Sequence, residues 1–200
     1  MLVLRLAVVP LVALVFAFGV WFTGGVLTDD MDVAMALLAG WFVVAGVAAL
    51  LVARARRGMM LPVFGTYVVA AAAIGGYLGY ASMHDRKVDE EVAVGSQLAR
   101  GGFESGAHAT SGSATVVKPA GGDRVLTLTG FETSPGPDLR VYLSTDRDAS
   151  DSEDLGGLKG NVGDQQYEIP AGLDLATHST VVIWCRAFSV EFGSAELVPR

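Results

Sequence analysis

The stretch that decides the fold is residues 33–53, VAMALLAGWFVVAGVAALLVA, which contains no charged residue. An α-helix of about 20 such apolar residues crosses the hydrocarbon layer of a membrane. Two further apolar runs flank it, at about residues 2–22 and 61–82, and the only charge in either is Arg5, near one end. The sequence therefore predicts three transmembrane helices within residues 1–83.

Charges in the loops predict the orientation of these helices. The first loop is acidic, and the second is short and basic. The acidic residues are Asp29, Asp30 and Asp32, and the basic residues are Arg54, Arg56 and Arg57. Short basic loops stay in the cytoplasm. We therefore expect a multi-pass protein of the cell membrane, with a cytoplasmic N-terminus that includes Arg5 and an extracytoplasmic C-terminal domain.

The first apolar run has a second interpretation, as a secretory signal peptide, because Arg5 precedes it. Either interpretation leaves the C-terminal domain outside. The predicted spans hold no ionisable residue at membrane depth, where transport and proton relay usually require one. We therefore interpret them as an anchor in the lipid bilayer. The GxxxG spacing of Gly75 and Gly79 leaves a helix-mediated oligomer open.

Residues 84–200 have the composition of a soluble domain, with 18 acidic and 10 basic residues and a net charge of −8. This charge argues against nucleic acid and against an anionic lipid surface as partners, because both attract basic surfaces. The whole chain has three lysines against eleven arginines, a bias typical of high-GC bacterial genomes. Its single cysteine, Cys185, excludes an internal disulfide.

Short runs rich in β-branched and aromatic residues follow residue 101, separated by clusters of glycine, proline, asparagine and aspartate. The runs are 114–117, 125–129, 139–144, 165–169, 180–187 and 189–198. Their spacing predicts an all-β sandwich or barrel over residues 101–198, after a linker or short helix at 84–100. The run Thr180–Cys185 is apolar on both faces, as a central strand is. Alternation places Cys185 on one face and Arg186 on the other.

Four stretches of this domain resemble the DM-thirteen domain, also described as the electron transfer DM module. They are Phe103 with His108–Gly112, GPDLRVYLS at 136–144, LGGLKGNVGDQQY at 155–167 and VIWCRAFSVEFGSAEL at 182–197. The resemblance covers nearly the whole β domain and says nothing about the three helices. It implies a role in electron transfer. It also implies that Cys185 is redox-active, as a bare thiol or as a ligand to a prosthetic group such as haem.

Cys185 is the principal candidate site residue. A thiolate ligates iron or reacts with oxidants if its pKa is lowered and it can be reached. The alternative is a small buried apolar residue, which is the usual role of a free cysteine. His108 is a candidate second cofactor ligand, because imidazole binds iron, copper and zinc; the alternative is a histidine in a turn. The chain has no C-x-x-C motif, which argues against a two-cysteine cycle within one chain.

An acidic run after the predicted strand 139–144 is a weaker candidate, for a metal site. Asp146, Asp148 and Asp151 offer the oxygen ligands that calcium takes. Their spacing lacks the glycine and the final glutamate of an EF-hand loop. A solvated loop is therefore the alternative interpretation.

Two functional hypotheses remain open from the sequence. The first is a membrane-anchored extracytoplasmic module that acts in redox chemistry or electron transfer through Cys185, with a membrane redox protein as its partner. The second is a non-catalytic ligand-binding or adhesion sandwich, because one fold hosts many binding functions. Both describe a module rather than a complete enzyme, and the sequence does not choose between no cofactor and haem.

Overall fold

The computed structural model describes residues 2–28, 31–56 and 58–200, with the side chains of residues 7–28, 33–56 and 58–200. Among the residues that predict the orientation, Asp29, Asp30 and Arg57 lie outside the described residues, and so do the side chains of Arg5 and Asp32. The chain divides into two compact units, Met1–Tyr80 and Ala81–Arg200.

Three long helices make up the described part of the first unit. They are α1 (Leu2–Gly25), α2 (Met31–Ala55) and α3 (Thr66–Met83), with a π-helical turn at Met60–Gly65 before α3. All three are long and apolar enough to cross a membrane, over Ala7–Gly25, Val33–Ala55 and Met60–Met83. The prediction of three apolar helices of spanning length is thus confirmed, and it is typical of a multi-pass membrane protein.

An aromatic cluster joins the three helices. Phe16 on α1 is 2% exposed, and its ring makes edge-to-face contacts with Phe42 on α2 and Tyr67 on α3, at centroid distances of 4.9 and 5.3 Å. The Tyr67 hydroxyl donates to the carbonyl oxygen of Phe42 at 2.6 Å, and the indole N–H of Trp41 donates to that of Phe16 at 3.1 Å. Hydrogen bonds between membrane helices contribute roughly 1 kcal/mol each, so these two bonds help to set the packing.

Glycines provide the space for these aromatic rings. A Cβ atom on Gly19 would lie 2.0 Å from Cε2 of Trp41, and a Cβ atom on Gly46 would lie 2.8 Å from the hydroxyl oxygen of Tyr67. Neither distance is physically tolerable, so α1 and α3 reach α2 only because these positions lack a side chain. Small residues have this role at many helix contacts in membranes.

The GxxxG pair has two different environments. A Cβ atom on Gly75 would lie 3.4 Å from the Phe42 ring, whereas a Cβ atom on Gly79 would meet nothing within 4 Å. Gly75 therefore contributes to packing within the chain. The helix-mediated oligomer stays a prediction.

Residues 81–200, all of which the structure describes, contain ten strands in two antiparallel five-stranded sheets that form a sandwich. The strands are β1 (Ser96–Gly102), β2 (Glu104–Ser105), β3 (Ser111–Lys118), β4 (Val125–Glu132), β5 (Leu139–Ser144), β6 (Ser152–Gly157), β7 (Gln165–Glu168), β8 (Thr180–Cys185), β9 (Val190–Glu196) and β10 (Val198–Pro199). One sheet has the order β10-β1-β3-β4-β7, and the other has the order β2-β9-β8-β5-β6. The predicted all-β sandwich is confirmed.

Strand β8 is the centre of the second sheet, between β9 and β5. Val181, Ile183 and Cys185 share one face and are fully buried, in register with residues of β5 that are also buried. Val182, on the opposite face, is fully buried as well. The strand is therefore apolar on both sides, as its sequence predicts for a central strand.

The edges of the sandwich differ from the sequence prediction. Residues 96–100, expected to lie in a linker or short helix, form most of β1, and the acidic run continues into β6. Strand β2 has only two residues, which pair with β9. These three strands are rich in glycine, serine, glutamine and acidic residues rather than in β-branched residues, so their composition hides them.

An extended arm precedes β1. The amide groups of Val88 and Glu90 donate to the carbonyl oxygens of Val162 and Asp164, both at 2.9 Å. Lys87 forms a parallel bridge with Val162. The expected linker is therefore hydrogen-bonded to the sandwich before β1 begins.

We predict that Gly19→Ala destabilises the helical unit, because the new methyl group displaces the Trp41 ring and breaks its bond to the Phe16 carbonyl. Gly40→Ala is the matched control, since its Cβ atom meets nothing within 4 Å and alanine favours a helix by about 1 kcal/mol over glycine. Thermal unfolding in detergent, followed by helical circular dichroism, measures both. Equal unfolding temperatures for the two variants would contradict this account of the packing.

Candidate functional site

Cys185 is the last residue of β8, opposite Leu139 on β5 and Val190 on β9. Its side chain is 0% exposed. The turn at 186–189 follows directly, and its Phe188 is 3% exposed, with an amide that donates to the carbonyl oxygen of Cys185 at 3.3 Å. Two strands and a turn thus close the sulfur off from solvent.

Burial raises the pKa of the Cys185 thiol from 9.0 to about 11, because a thiolate without water is unfavourable. Backbone hydrogen bonds from Phe188, Asp138 and Ala187 have the opposite, smaller effect on this pKa. The folded chain therefore holds a protonated thiol at neutral pH. A protonated, buried thiol is a poor nucleophile, so the sulfur reacts only in a more open state.

The turn over Cys185 is held by Asp138, at the start of β5. The amide of Arg186 donates to the carbonyl oxygen of Asp138 at 2.9 Å, and Nε of Arg186 donates to Oδ2 of Asp138 at 2.8 Å. Ser189 has a φ of 51°, a conformation that residues other than glycine seldom adopt. Two hydrogen bonds to Asp138 thus hold the start of the turn, and Ser189 at its end has a left-handed backbone conformation.

His108 lies in other surroundings. Its ring packs on Phe192 with a centroid distance of 4.0 Å, and burial lowers its pKa. The loop that carries it is held to β9, where Gly106 and Ala107 donate to the carbonyl oxygens of Phe192 and Glu191, both at 3.0 Å. The contacts described for His108 and Cys185 do not join them. The pairing of these two residues as ligands therefore stays a prediction without geometric support.

The surroundings of Cys185 do not fit a haem. An axial thiolate needs an open face at the sulfur and a crevice for the macrocycle, whereas this sulfur is fully enclosed. Two clefts in the sandwich, one beside Glu168 and one beside Glu132, include neither Cys185 nor His108 among their lining residues.

The acidic run forms a turn that bonds to itself. Asp146 accepts hydrogen bonds from the amide and the hydroxyl of Ser150, which lower its pKa. Asp151 lies 3.8 Å from Nε2 of His178, and Asp148 is an exposed residue of the turn. Within the described residues, no three His, Cys, Asp or Glu side chains are arranged to hold a metal ion. The weak prediction of a metal site at Asp146, Asp148 and Asp151 gains nothing from this geometry.

The resembling stretches meet in a buried network that the sequence analysis did not single out. The Thr110 hydroxyl lies 2.8 Å from that of Thr133 and donates to the Phe192 carbonyl at 3.0 Å. Nδ2 of Asn161 donates to the Thr133 carbonyl at 2.9 Å. Three stretches far apart in the chain thus converge here. The family resemblance singled out the stretches that contain Thr110, Asn161 and Phe192, but spacing along the chain does not indicate that these residues are in contact.

A second network organises the stretch 155–167. The Tyr167 hydroxyl donates to Oε1 of Gln165 at 2.7 Å, and the amides of Lys159 and Gly160 donate to the same oxygen at 3.1 and 3.2 Å. Burial raises the pKa of Tyr167 to about 12. Since Gln165 is fully buried and Tyr167 nearly so, both side chains hold the loop in shape and are not accessible to a ligand.

A polar cleft of about 490 Å³ opens beside the Thr110–Thr133 pair. Asp85, Ser105, Glu132 and Ser134 are among its lining residues. Its volume is within the range of small-ligand sites, although such sites are usually more apolar. Asp85, Ser105 and Glu132 are exposed in this cleft, which makes it a candidate binding surface.

Comparison with protein families matches residues 102–197 to the family Electron transfer DM13. The matched segment contains the four stretches that resemble the DM-thirteen domain, together with Cys185, His108 and β2 to β9. Comparisons with curated proteins and with solved structures give no match. The chain therefore carries an Electron transfer DM13 domain at residues 102–197, behind three apolar helices of membrane-spanning length.

Proposed function

We propose that the chain is a membrane-tethered electron-transfer module in which Cys185 is the redox residue and a membrane or extracytoplasmic redox protein is the partner. The observation that carries the proposal is the match of residues 102–197 to the family Electron transfer DM13, since the matched segment contains Cys185, the single cysteine of the chain. A thiol can carry an electron pair by disulfide exchange.

The reaction requires the turn at 186–189 to open, because the thiol is sealed and protonated in the folded chain. Once exposed, the thiol loses its proton to water, and the thiolate attacks a disulfide of the partner. A new sulfur–sulfur bond forms, the partner's bond breaks, and one partner sulfur leaves as a thiolate. A thiolate of a reduced dithiol protein then attacks the Cys185 sulfur and frees the first partner as a dithiol, and the donor's second thiol releases Cys185 as it closes the donor's own disulfide. Two electrons thus pass from the dithiol donor to the first partner, and the chain needs no second cysteine.

This proposal predicts that a fraction of Cys185 is held in a mixed disulfide in living cells. Rapid acid quenching, alkylation of free thiols and mass spectrometry of the full chain measure that fraction, which should disappear after reduction. Cys185→Ser is the control and should lose the disulfide-linked species while remaining folded. A thiol that is free in every growth condition would remove Cys185 from the redox chemistry.

The second candidate function is a non-catalytic binding module. The polar cleft beside Thr110 favours it, because its acidic and hydroxyl groups are accessible while the sulfur is not. The two candidates differ in their dependence on Cys185. A folded Cys185→Ala chain that keeps every cellular phenotype supports binding, whereas loss of phenotype with an unchanged fold supports redox chemistry.

The proposed location of the DM13 domain is the extracytoplasmic side. Acidic residues in the first loop and the arginines at 54–57 in the second support it, because short basic loops remain in the cytoplasm. A cytoplasmic N-terminus and three spans then bring the C-terminus outside.

We predict that alkaline phosphatase fused after Arg200 is active, because this reporter folds only where disulfides form. The same reporter fused after Gly58, in the second loop, should be inactive and serves as the matched control. Activity in the Gly58 fusion alone would reverse the orientation.

A further inference from the structure

The arm between α3 and β1 is fastened to the sandwich by main-chain hydrogen bonds. We call residues 85–93 the strap. Its amides at Val88 and Glu90 donate to Val162 and Asp164 at 2.9 Å, and the amide of Val162 donates back to Arg86 at 3.4 Å. Together with the parallel bridge at Lys87, these bonds pair the strap with the segment 159–166 much as a short strand would pair.

Polar side chains fasten both ends of the strap. At the first end, Nδ2 of Asn161 donates to Asp85 at 2.9 Å, and the amide of Arg86 donates to Oδ1 of Asn161 at 2.6 Å. At the other end, Glu90 accepts from Nζ of Lys159 at 2.8 Å and from the amide of Gln166 at 3.0 Å. The hydrogen bond and ion pair to Lys159 lower the pKa of Glu90.

Two glycines leave space for the strap to approach the sandwich closely. A Cβ atom on Gly160 would lie 2.5 Å from the carbonyl oxygen of Arg86, and a Cβ atom on Gly163 would lie 1.8 Å from that of Val88. The three nearest atoms at each position all belong to the strap. These glycines therefore serve the close approach of the strap at those points, and an added side chain would collide with it.

The strap adds no buried side chain to the core of the sandwich. Each of residues 84–95 is exposed or half-buried, and the family match begins only at residue 102. The contacts of the strap are hydrogen bonds, several of them part-buried, and one partly exposed ion pair, and each of them contributes only modestly to stability. Segments held in this way open at low free-energy cost compared with core strands.

We propose that the strap is a releasable fastening that opens without unfolding of the DM13 domain and so frees the chain between α3 and β1. When the strap is fastened, its hydrogen bonds to the sandwich include one at Asp85, two residues after α3 ends at Met83. When it is released, residues 84–95 form a flexible tether of about 20 Å root-mean-square length. This goes beyond the proposed function, because it holds whatever chemistry the domain performs.

Trypsin cleavage after Arg86 and Lys87 reports opening of the strap, because both residues lie within it. We expect the full chain in detergent micelles to be cut there slowly, and the Gly160→Ala chain to be cut at least tenfold faster. Gly172→Ala is the matched control, because its Cβ atom meets nothing within 4 Å, and it should be cut at the wild-type rate. Cleavage after Arg100, in β1, reports unfolding of the sandwich and should stay slow in all three chains.

A second variant keeps the test informative if Gly160→Ala does not fold. Glu90→Gln removes the charge that pairs with Lys159 and should speed cleavage about twofold to threefold. The proposal is overturned if the wild-type chain is cut as fast as Gly160→Ala. It is also overturned if sites in the strap and at Arg100 are always cut together, since the strap would then belong to the cooperative fold.

Discussion

Burial of strand β8 on both faces is the constraint on which the rest of the sandwich depends. Its fully buried residues lie between β5 and β9 and alternate between the two faces of the strand, so neither face can be exposed to water without loss of apolar burial. The same burial encloses the sulfur of Cys185 at the end of the strand and raises the pKa of its thiol. The burial that stabilises the fold therefore also makes the sulfur unreactive. Chemistry at Cys185 requires the turn at 186–189 to open.

Much of this architecture could be predicted from the sequence, because its signal is apolar periodicity. The three spans follow from uninterrupted apolar runs, and β8 follows from a run with apolar residues on both faces. The strap, β1, β2 and β6 could not be predicted in this way. The strap is held by main-chain hydrogen bonds and by the close approach that Gly160 and Gly163 permit, and β1, β2 and β6 are rich in glycine, serine, glutamine and acidic residues. Neither feature leaves a periodic apolar pattern. The arm that composition describes as a linker is hydrogen-bonded to the sandwich along residues 85–93.

The candidate site also combines features that could be predicted from the sequence with features that could not. The run Thr180–Cys185, apolar on both faces, predicted a central strand, and the structure buries Cys185 at the end of that strand. Spacing alone could not predict that Asp138 and Arg186, from two different stretches, fasten the turn over the sulfur. Nor could it predict that Thr110, Thr133 and Asn161 converge beside the polar cleft. The motifs identify candidate residues, but the pairing of distant strands decides which of these residues come into contact. The motif order suggested that His108 and Cys185 act together, and the described contacts do not join them.

The measurement that tests the account most directly is the rate at which a soluble maleimide labels Cys185 in the folded full chain. We predict labelling at least a hundredfold slower than in the denatured chain, because the sulfur reacts only when the turn opens. Phe188→Ala should accelerate it far more than Phe131→Ala, which removes an equally buried ring away from the turn. Equal acceleration by both variants would contradict the account, because it would show that only global unfolding exposes the sulfur. Labelling of the wild-type chain at the denatured rate would also contradict it, because the sulfur would then be accessible in the folded chain.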